Sequence, residues 1–252
     1  MDDLSGALKP LTLLERIAAM DHPVTLADVA AGSDVPRPTL HRWLNALAAA
    51  GLLQRCPDGR RFEIAPRASQ LAFAILSNQP GAARRHDLLR KVAETVGESC
   101  NLTVLHGQEV TYIDRVEAMW PLRITFQRGS RVPVHCSASG KLFLALMPPA
   151  KRDAIVGDLT FQTFTDNTLP DREALQAELR DVRKQRYALD REEYLAGLVC
   201  LAVPVMQKIG RTQTCVAALA MQAPVSRMSC EKMLEKLPEL QAAAQALAGT
   251  LE

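Results

Sequence analysis

The chain is poor in aromatic residues: two Trp, three Tyr and six Phe, 4% of its 252 positions. It also lacks any uninterrupted apolar run near the roughly 18 residues that a membrane-spanning helix needs. Apolar residues still make up 48% of the chain against 23% charged, a balance that buries a core and excludes global disorder. None of the six cysteines, Cys56, Cys100, Cys136, Cys200, Cys215 and Cys230, falls in a C-x-x-C pair. Neither a zinc ribbon nor a dithiol centre is therefore indicated, and reduced, packed thiols are expected. No metal and no cofactor is expected. The start Met1-Asp2-Asp3 is acidic and lacks the basic start and apolar core of a secretory leader, so the expected location is the cytoplasm.

Catalytic signatures are also missing. Ser137-Ala138-Ser139-Gly140-Lys141 approaches a phosphate loop, but position 135 is His and position 142 is Leu, where G-x-x-x-x-G-K-[ST] needs Gly and a hydroxyl residue. Serine–lysine chemistry fails too, because its S-x-x-K spacing would need Ser at position 138, which is Ala. With no G-x-S-x-G and no H-E-x-x-H, no catalytic residue is assigned and the chain is not expected to be an enzyme.

A net charge of +2 is too small to mark a nucleic-acid binder, but its distribution is uneven. Over residues 1–34, Lys9 and Arg16 are outnumbered by Asp2, Asp3, Glu15, Asp21, Asp28 and Asp34. Over residues 35–67 the balance reverses: Arg37, Arg42, Arg55, Arg60, Arg61 and Arg67 face only Asp58 and Glu63. So short a basic segment is what a phosphate backbone attracts.

That segment has a readable shape. Leu13, Leu14, Ile17 and Ala18 repeat at helical spacing over residues 12–20. Thr25 with Asp28 three residues on is a capping box opening a second, shorter helix, which Gly32 ends. Pro38 suits the first turn of a third helix, where Leu40, Trp43, Leu44 and Leu47 share one side. Pro38, Arg42, Asn45 and Ala49 lie opposite, flanked by Thr39 and His41. Leu52–Arg55 and Arg60–Ile64 then read as a hairpin closed by Pro57-Asp58-Gly59. Three small helices followed by a basic hairpin make a winged helix-turn-helix, with Arg37, Thr39, His41, Arg42, Asn45, Arg55, Arg60 and Arg61 as candidate DNA contacts. The partner is double-stranded DNA.

Residues 65–89 look helical, interrupted by Asn78-Gln79-Pro80-Gly81, and connect the domains; a further helix runs to about Val96. Beyond Gly97, residues 101–105, 109–116, 122–126, 199–206 and 215–221 have strand composition. Helices are expected over 139–146 and 172–185, and one long final helix over 230–251. The fold class is α+β. The expected organisation is residues 1–66 for DNA binding, 67–85 as a linker helix and 86–252 as a second domain.

The run Pro36-Arg37-Pro38-Thr39-Leu40-His41-Arg42-Trp43-Leu44 and the turn Gly59-Arg60-Arg61-Phe62 resemble the recognition helix and wing of IclR regulators. So, in the family's order, do residues 112–117, 121–123, 129–141, 188–193 and 197–205. This resemblance covers nearly the whole chain. It implies a GAF-like effector-binding domain with a central antiparallel sheet, homodimers that often pair into homotetramers, and a small organic acid as effector. Carried over by position, Ile124, Val132, Ala138, Ser139, Asp190, Leu198, Cys200, Ala220 and Gln222 would line the pocket, with an acid at the helix start of Ala138 and Ser139. Ala220 and Gln222 stand where the family's last pocket strand often carries hydroxyl residues, and Pro38 where serine is common. Gln222, able to donate and accept, is expected to meet the far end of the ligand. Asp190 is expected to meet a ligand hydroxyl or a protein N–H. The alternative is a cysteine-based redox-responsive regulator sensing through Cys136 or Cys200. Serving as plain caps or turns is an equally simple role for Ser139 and Asp190.

Overall fold

The computed structural model describes residues 8–20, 22–31, 33–77, 81–120, 126–210 and 212–251. The chain divides into two compact units, Met1–Leu76 and Ser77–Glu252. The division falls within the stretch expected to connect the domains.

In the first unit, helix α1 (Lys9–Ala18) buries Leu13, Leu14 and Ile17. Helix α2 (Leu26–Ala30) opens on the expected capping box: the Asp28 N–H donates to Thr25 Oγ1 at 3.2 Å and the Thr25 N–H to Asp28 Oδ2 at 2.8 Å. Helix α3 (Arg37–Ala49) buries Leu40, Leu44 and Leu47, with Pro38 in its first turn. Strands β1 (Leu53–Arg55) and β2 (Phe62–Ile64) pair antiparallel. The Val24 and Phe62 backbones exchange two hydrogen bonds of 2.8 Å, which dock the hairpin onto the strand-like link between α1 and α2. Helix α4 (Pro66–Ser77) follows.

The second unit is a six-stranded antiparallel sheet between helices. Its strands are β3 (Ser99–His106), β4 (Glu109–Val116), β5 (Arg131–Pro133), β6 (Ala188–Arg191), β7 (Leu198–Ile209) and β8 (Thr212–Pro224), in spatial order β5-β4-β3-β8-β7-β6. Helices α5 (Ala82–Val96) and α10 (Leu237–Ala248) pack together and against the sheet. Helices α6 (Ala138–Leu146) and α8 (Arg172–Gln185) meet face to face, with α6 on β6, β7 and β8. Side chains alternate across a strand, so the small residues Ala188, Cys200, Ala202, Ala218 and Ala220 form one face beneath Leu142, Phe143, Leu175 and Leu179.

Several expectations need correcting. The final helix is two, α9 (Cys230–Leu234) and α10, because Pro238 sits in the first turn of α10 and cannot donate the N–H that an unbroken helix would need. Strands β7 and β8 are longer than expected; most of their residues are buried, so the alternation that marks a half-exposed strand is lost. Strands β5 and β6 and helix α7 (Pro149–Gly157) are too short or too weakly patterned to stand out. The strand expected at 122–126 lies almost wholly outside the described residues, and Ile124 with it.

Candidate functional site

On α3, Arg37, His41 and Arg42 are exposed, while Thr39 and Asn45 are half-buried. The wing is held by its own side chains. Gly59 turns the hairpin at φ +69°, a conformation that disfavours any Cβ. Asp58 Oδ1 accepts the N–H groups of Arg60 and Arg61 at 3.0 and 3.1 Å, and its Oδ2 takes Arg61 Nε at 2.6 Å. These bonds pull the Asp58 carboxyl down to about 2. Arg55 lies 4.6 Å above the Phe62 ring and donates to Gly59 O at 2.8 Å and to Asn45 Oδ1 at 2.7 Å, tying the wing to α3. Among the described residues, the side chains of Arg37, Arg42 and Arg60 have no protein partner. The predicted arginines thus divide into a braced pair, Arg55 and Arg61, and a free set, Arg37, Arg42 and Arg60.

The second unit contains a cavity between the sheet and α6, lined by Asn101, Thr103, Val110, Tyr112, Val132, Ser137, Ala138, Ser139, Asp190, Tyr194, Leu198, Cys200 and Gln222. It gathers Val132, Ala138, Ser139, Asp190, Leu198, Cys200 and Gln222 from the positional carry-over. Ala220 is not part of the lining: it packs in the core between Ala202 and Asn101 in the strand register. The void is about 10 Å³, room for a single water centre, so a larger occupant requires the lining side chains to turn aside.

One end of the cavity is the start of α6. Ser137 caps it, accepting the Gly140 N–H at 3.2 Å and donating to Pro133 O at 2.7 Å. The first-turn N–H groups of Ala138 and Ser139 precede any intrahelical acceptor, and with the helix dipole they favour an anion. A Cβ on Gly140 would lie 2.4 Å from the Val134 Cα and carbonyl oxygen, so only glycine permits this close approach. Lys141, fully buried, is committed elsewhere, to Glu193 at 2.5 Å and Glu178 at 3.2 Å.

Asp190, Cys200 and Gln222 are direct neighbours across β6, β7 and β8. Asp190 Oδ1 accepts the Glu193 N–H at 2.7 Å, the protein N–H foreseen for it, and burial together with the Glu193 charge pushes its carboxyl up to about 7. Gln222 differs from expectation. Arg115 Nη1 donates to its Oε1 at 2.6 Å and its Nε2 donates to the Tyr112 hydroxyl at 2.7 Å, so this amide is largely spent on the protein. Tyr112, accepting from Gln222, keeps its own O–H for the cavity. Arg115 is a buried cation that sequence reasoning did not place here, and Asn101, Thr103, Tyr112 and Tyr194 were missed as well. The scarce aromatics collect around this cavity: Tyr112 stacks on Phe126 at 5.3 Å, Phe126 meets Tyr194 at 6.3 Å, and Tyr194 meets Phe164 at 5.2 Å.

The thiols do not support redox sensing. Cys136 and Cys200 are buried, and burial with nearby carboxylates pushes both well above the ordinary thiol range, which keeps them in the unreactive protonated form. Among the described residues no cluster could hold a metal ion, and no helix is long and apolar enough to cross a membrane.

Comparison with known proteins gives consistent matches. The family model of the IclR helix-turn-helix domain matches residues 7–57, and that of the bacterial transcriptional regulator IclR C-terminal domain matches residues 73–248. The probable transcriptional regulator SauR of Cupriavidus necator is 39% identical over 246 residues, 98% of this chain and 96% of its own. The HTH-type transcriptional regulator BhcR of Paracoccus denitrificans is 31% identical over 88% of this chain and 78% of its own. The crystal structure of a putative transcriptional regulator from Rhodococcus sp. RHA1 superposes with a TM-score of 0.66 at 27% identity, covering 99% of this chain and 98% of that one.

Proposed function

Because the chain belongs to the IclR family of transcriptional regulators, we propose that its α3 and wing bind a double-stranded operator and that a small organic acid entering the cavity beside α6 modulates this binding. The protein would act in the cytoplasm as a homodimer or homotetramer on a catabolic operon. The observation that carries the reading is the cavity itself: an anion-favouring helix start at Ala138 and Ser139, with Asp190, Tyr112 and Gln222 across from it. In DNA binding, Arg42 and Asn45 are the base-reading candidates, His41, Thr39 and Arg37 flank them, and Arg55, Arg60 and Arg61 contact phosphates. The acid acts by binding one DNA-affinity state of the protein better than the other; equal affinity would shift nothing. A gel shift on DNA upstream of the chain's own gene, run over a salt series with and without a panel of small acids, tests the proposal. Binding that weakens steeply with salt and responds to an acid is expected; failure to bind DNA at low salt would refute it.

A further inference from the structure

We propose that Asn101 is a ligand contact that selects the effector, and that the effector is a hydroxy acid, carrying a hydroxyl within reach of the Asn101 carboxamide. The inference rests on the reading of the cavity as an acid-binding pocket and specifies what that acid must contain. Asn101 is 1% exposed and lines the cavity, yet neither its Nδ2 nor its Oδ1 has a hydrogen-bond partner. Buried amides are rarely left in this state, because each unmade bond costs the desolvation of its group. Several other polar groups around the cavity are at least partly used. Thr103 donates to Ala218 O at 3.3 Å, Asp190 accepts from the Glu193 N–H, and the Gln222 carboxamide is held between Arg115 and Tyr112. Among the described residues that line the cavity, Asn101 is the one carboxamide whose donor and acceptor are both unused.

The chemistry that answers it follows from its two ends. Nδ2 needs an acceptor and Oδ1 a donor, and a hydroxyl supplies both from one atom. A second carboxylate would satisfy Nδ2 alone and leave Oδ1 bare. An ammonium would satisfy Oδ1 alone, and Arg115 opposes it: Arg115 is the direct cross-strand neighbour of Asn101, and its guanidinium reaches Gln222 beside the same cavity. An unsubstituted alkyl acid satisfies neither end. With the carboxylate at the start of α6, the hydroxyl is left to Asn101.

Matched acids separate these cases. Titration calorimetry on the full-length protein would compare glycolate with acetate, lactate with propionate and with alanine, and 3-hydroxybutyrate with butyrate. In the best-binding pair the hydroxylated acid is expected to bind on the order of tenfold to a hundredfold more tightly, and alanine not to bind. In Asn101→Leu, a near-isosteric change that removes the orphaned amide, the preference should vanish while the ligand-free protein melts no lower than wild type. Should Asn101→Leu fail to fold, the wild-type pairs decide by themselves. Equal binding within every pair, a preference for alanine, or a hydroxyl preference that survives Asn101→Leu overturns the proposal while leaving the acid pocket intact. If no acid binds wild type at all, the pocket reading falls and this inference with it.

Discussion

Arg42 and Arg60 differ from Arg55 and Arg61 in what already holds them. Arg61 is paired with Asp58 at 2.6 Å and Arg55 braces the wing against Asn45, whereas Arg42 and Arg60 have open guanidinium groups. Arg42→Ala should therefore weaken operator binding without moving the thermal midpoint, by about 1 to 3 kcal/mol of discrimination if it reads a guanine. Arg60→Ala should lower the slope of log K against log salt by about one, and Arg61→Ala by less, because Asp58 already offsets that charge. Equal slopes for the two variants would show that Asp58 releases Arg61 on binding DNA. Asp190 offers a second test at this scale. Its folded-state pKa of about 7 lies above the usual carboxylate value of about 3.9, so the folded state holds its proton more tightly than the unfolded one. The stability this contributes is present below about pH 4 and is lost as pH rises through about 7. Glu193, also pushed up, changes in the same direction; Lys141 opposes it. Asp190→Asn should thus gain about 1 to 3 kcal/mol more at pH 8 than at pH 5 in denaturant unfolding. Acid affinity in wild type should fall over the same interval, as the ionised carboxylate repels the anion, and stay flat in Asp190→Asn. A wild-type affinity independent of pH would place the anion away from Asp190.

Helix α6 shows how far one element can be read from its sequence. The helix up to Leu146 follows from residue type and spacing, although its cap is Ser137 and not the Ser139 that the sequence offered, and α1, α2, α3, the wing and α8 were legible because caps, periodic apolar stripes and turn residues are local signals. The role of Gly140 was not legible, since it depends on the Val134 backbone lying against α6, a tertiary fact. Gly140→Ala should force the first turn of α6 away from Val134, costing about 1 to 3 kcal/mol of stability and at least tenfold in acid affinity. DNA binding without the acid should be unchanged, because α3 and the wing belong to the other compact unit. Acid affinity equal to wild type in a folded Gly140→Ala would separate the α6 start from the binding site. Strands β5 and β6 escaped notice for the opposite reason: at 3 and 4 residues they are too short for a period to register, and pairing with β4 and β7 makes them strands.

Across the whole molecule, what the sequence left unread is the partnership between distant positions. Arg115, Gln222 and Tyr112 form one hydrogen-bonded chain although 107 and 110 positions separate Gln222 from the other two, and nothing in spacing or composition links them. The same long-range pairing engages Gln222 and leaves Asn101, the other carboxamide lining the cavity, without a partner. For a regulator the quantity that joins cavity to operator is a coupling free energy, and it must be reciprocal. If the acid changes operator affinity by some factor, the operator changes acid affinity by the same factor, typically about 5- to 150-fold. This can be measured without knowing the path of the coupling: titrate the acid into free protein and into the protein–operator complex, and titrate operator into protein with and without saturating acid. The two ratios should agree within error in wild type. They should both collapse toward one in a variant whose cavity no longer distinguishes the two states, which Ala138→Leu, filling a void of about 10 Å³, is expected to become. Ratios that disagree would mean that the acid alters assembly or a third binding partner between the two measurements, and repeating them across protein concentrations would identify a dimer–tetramer step by its concentration dependence.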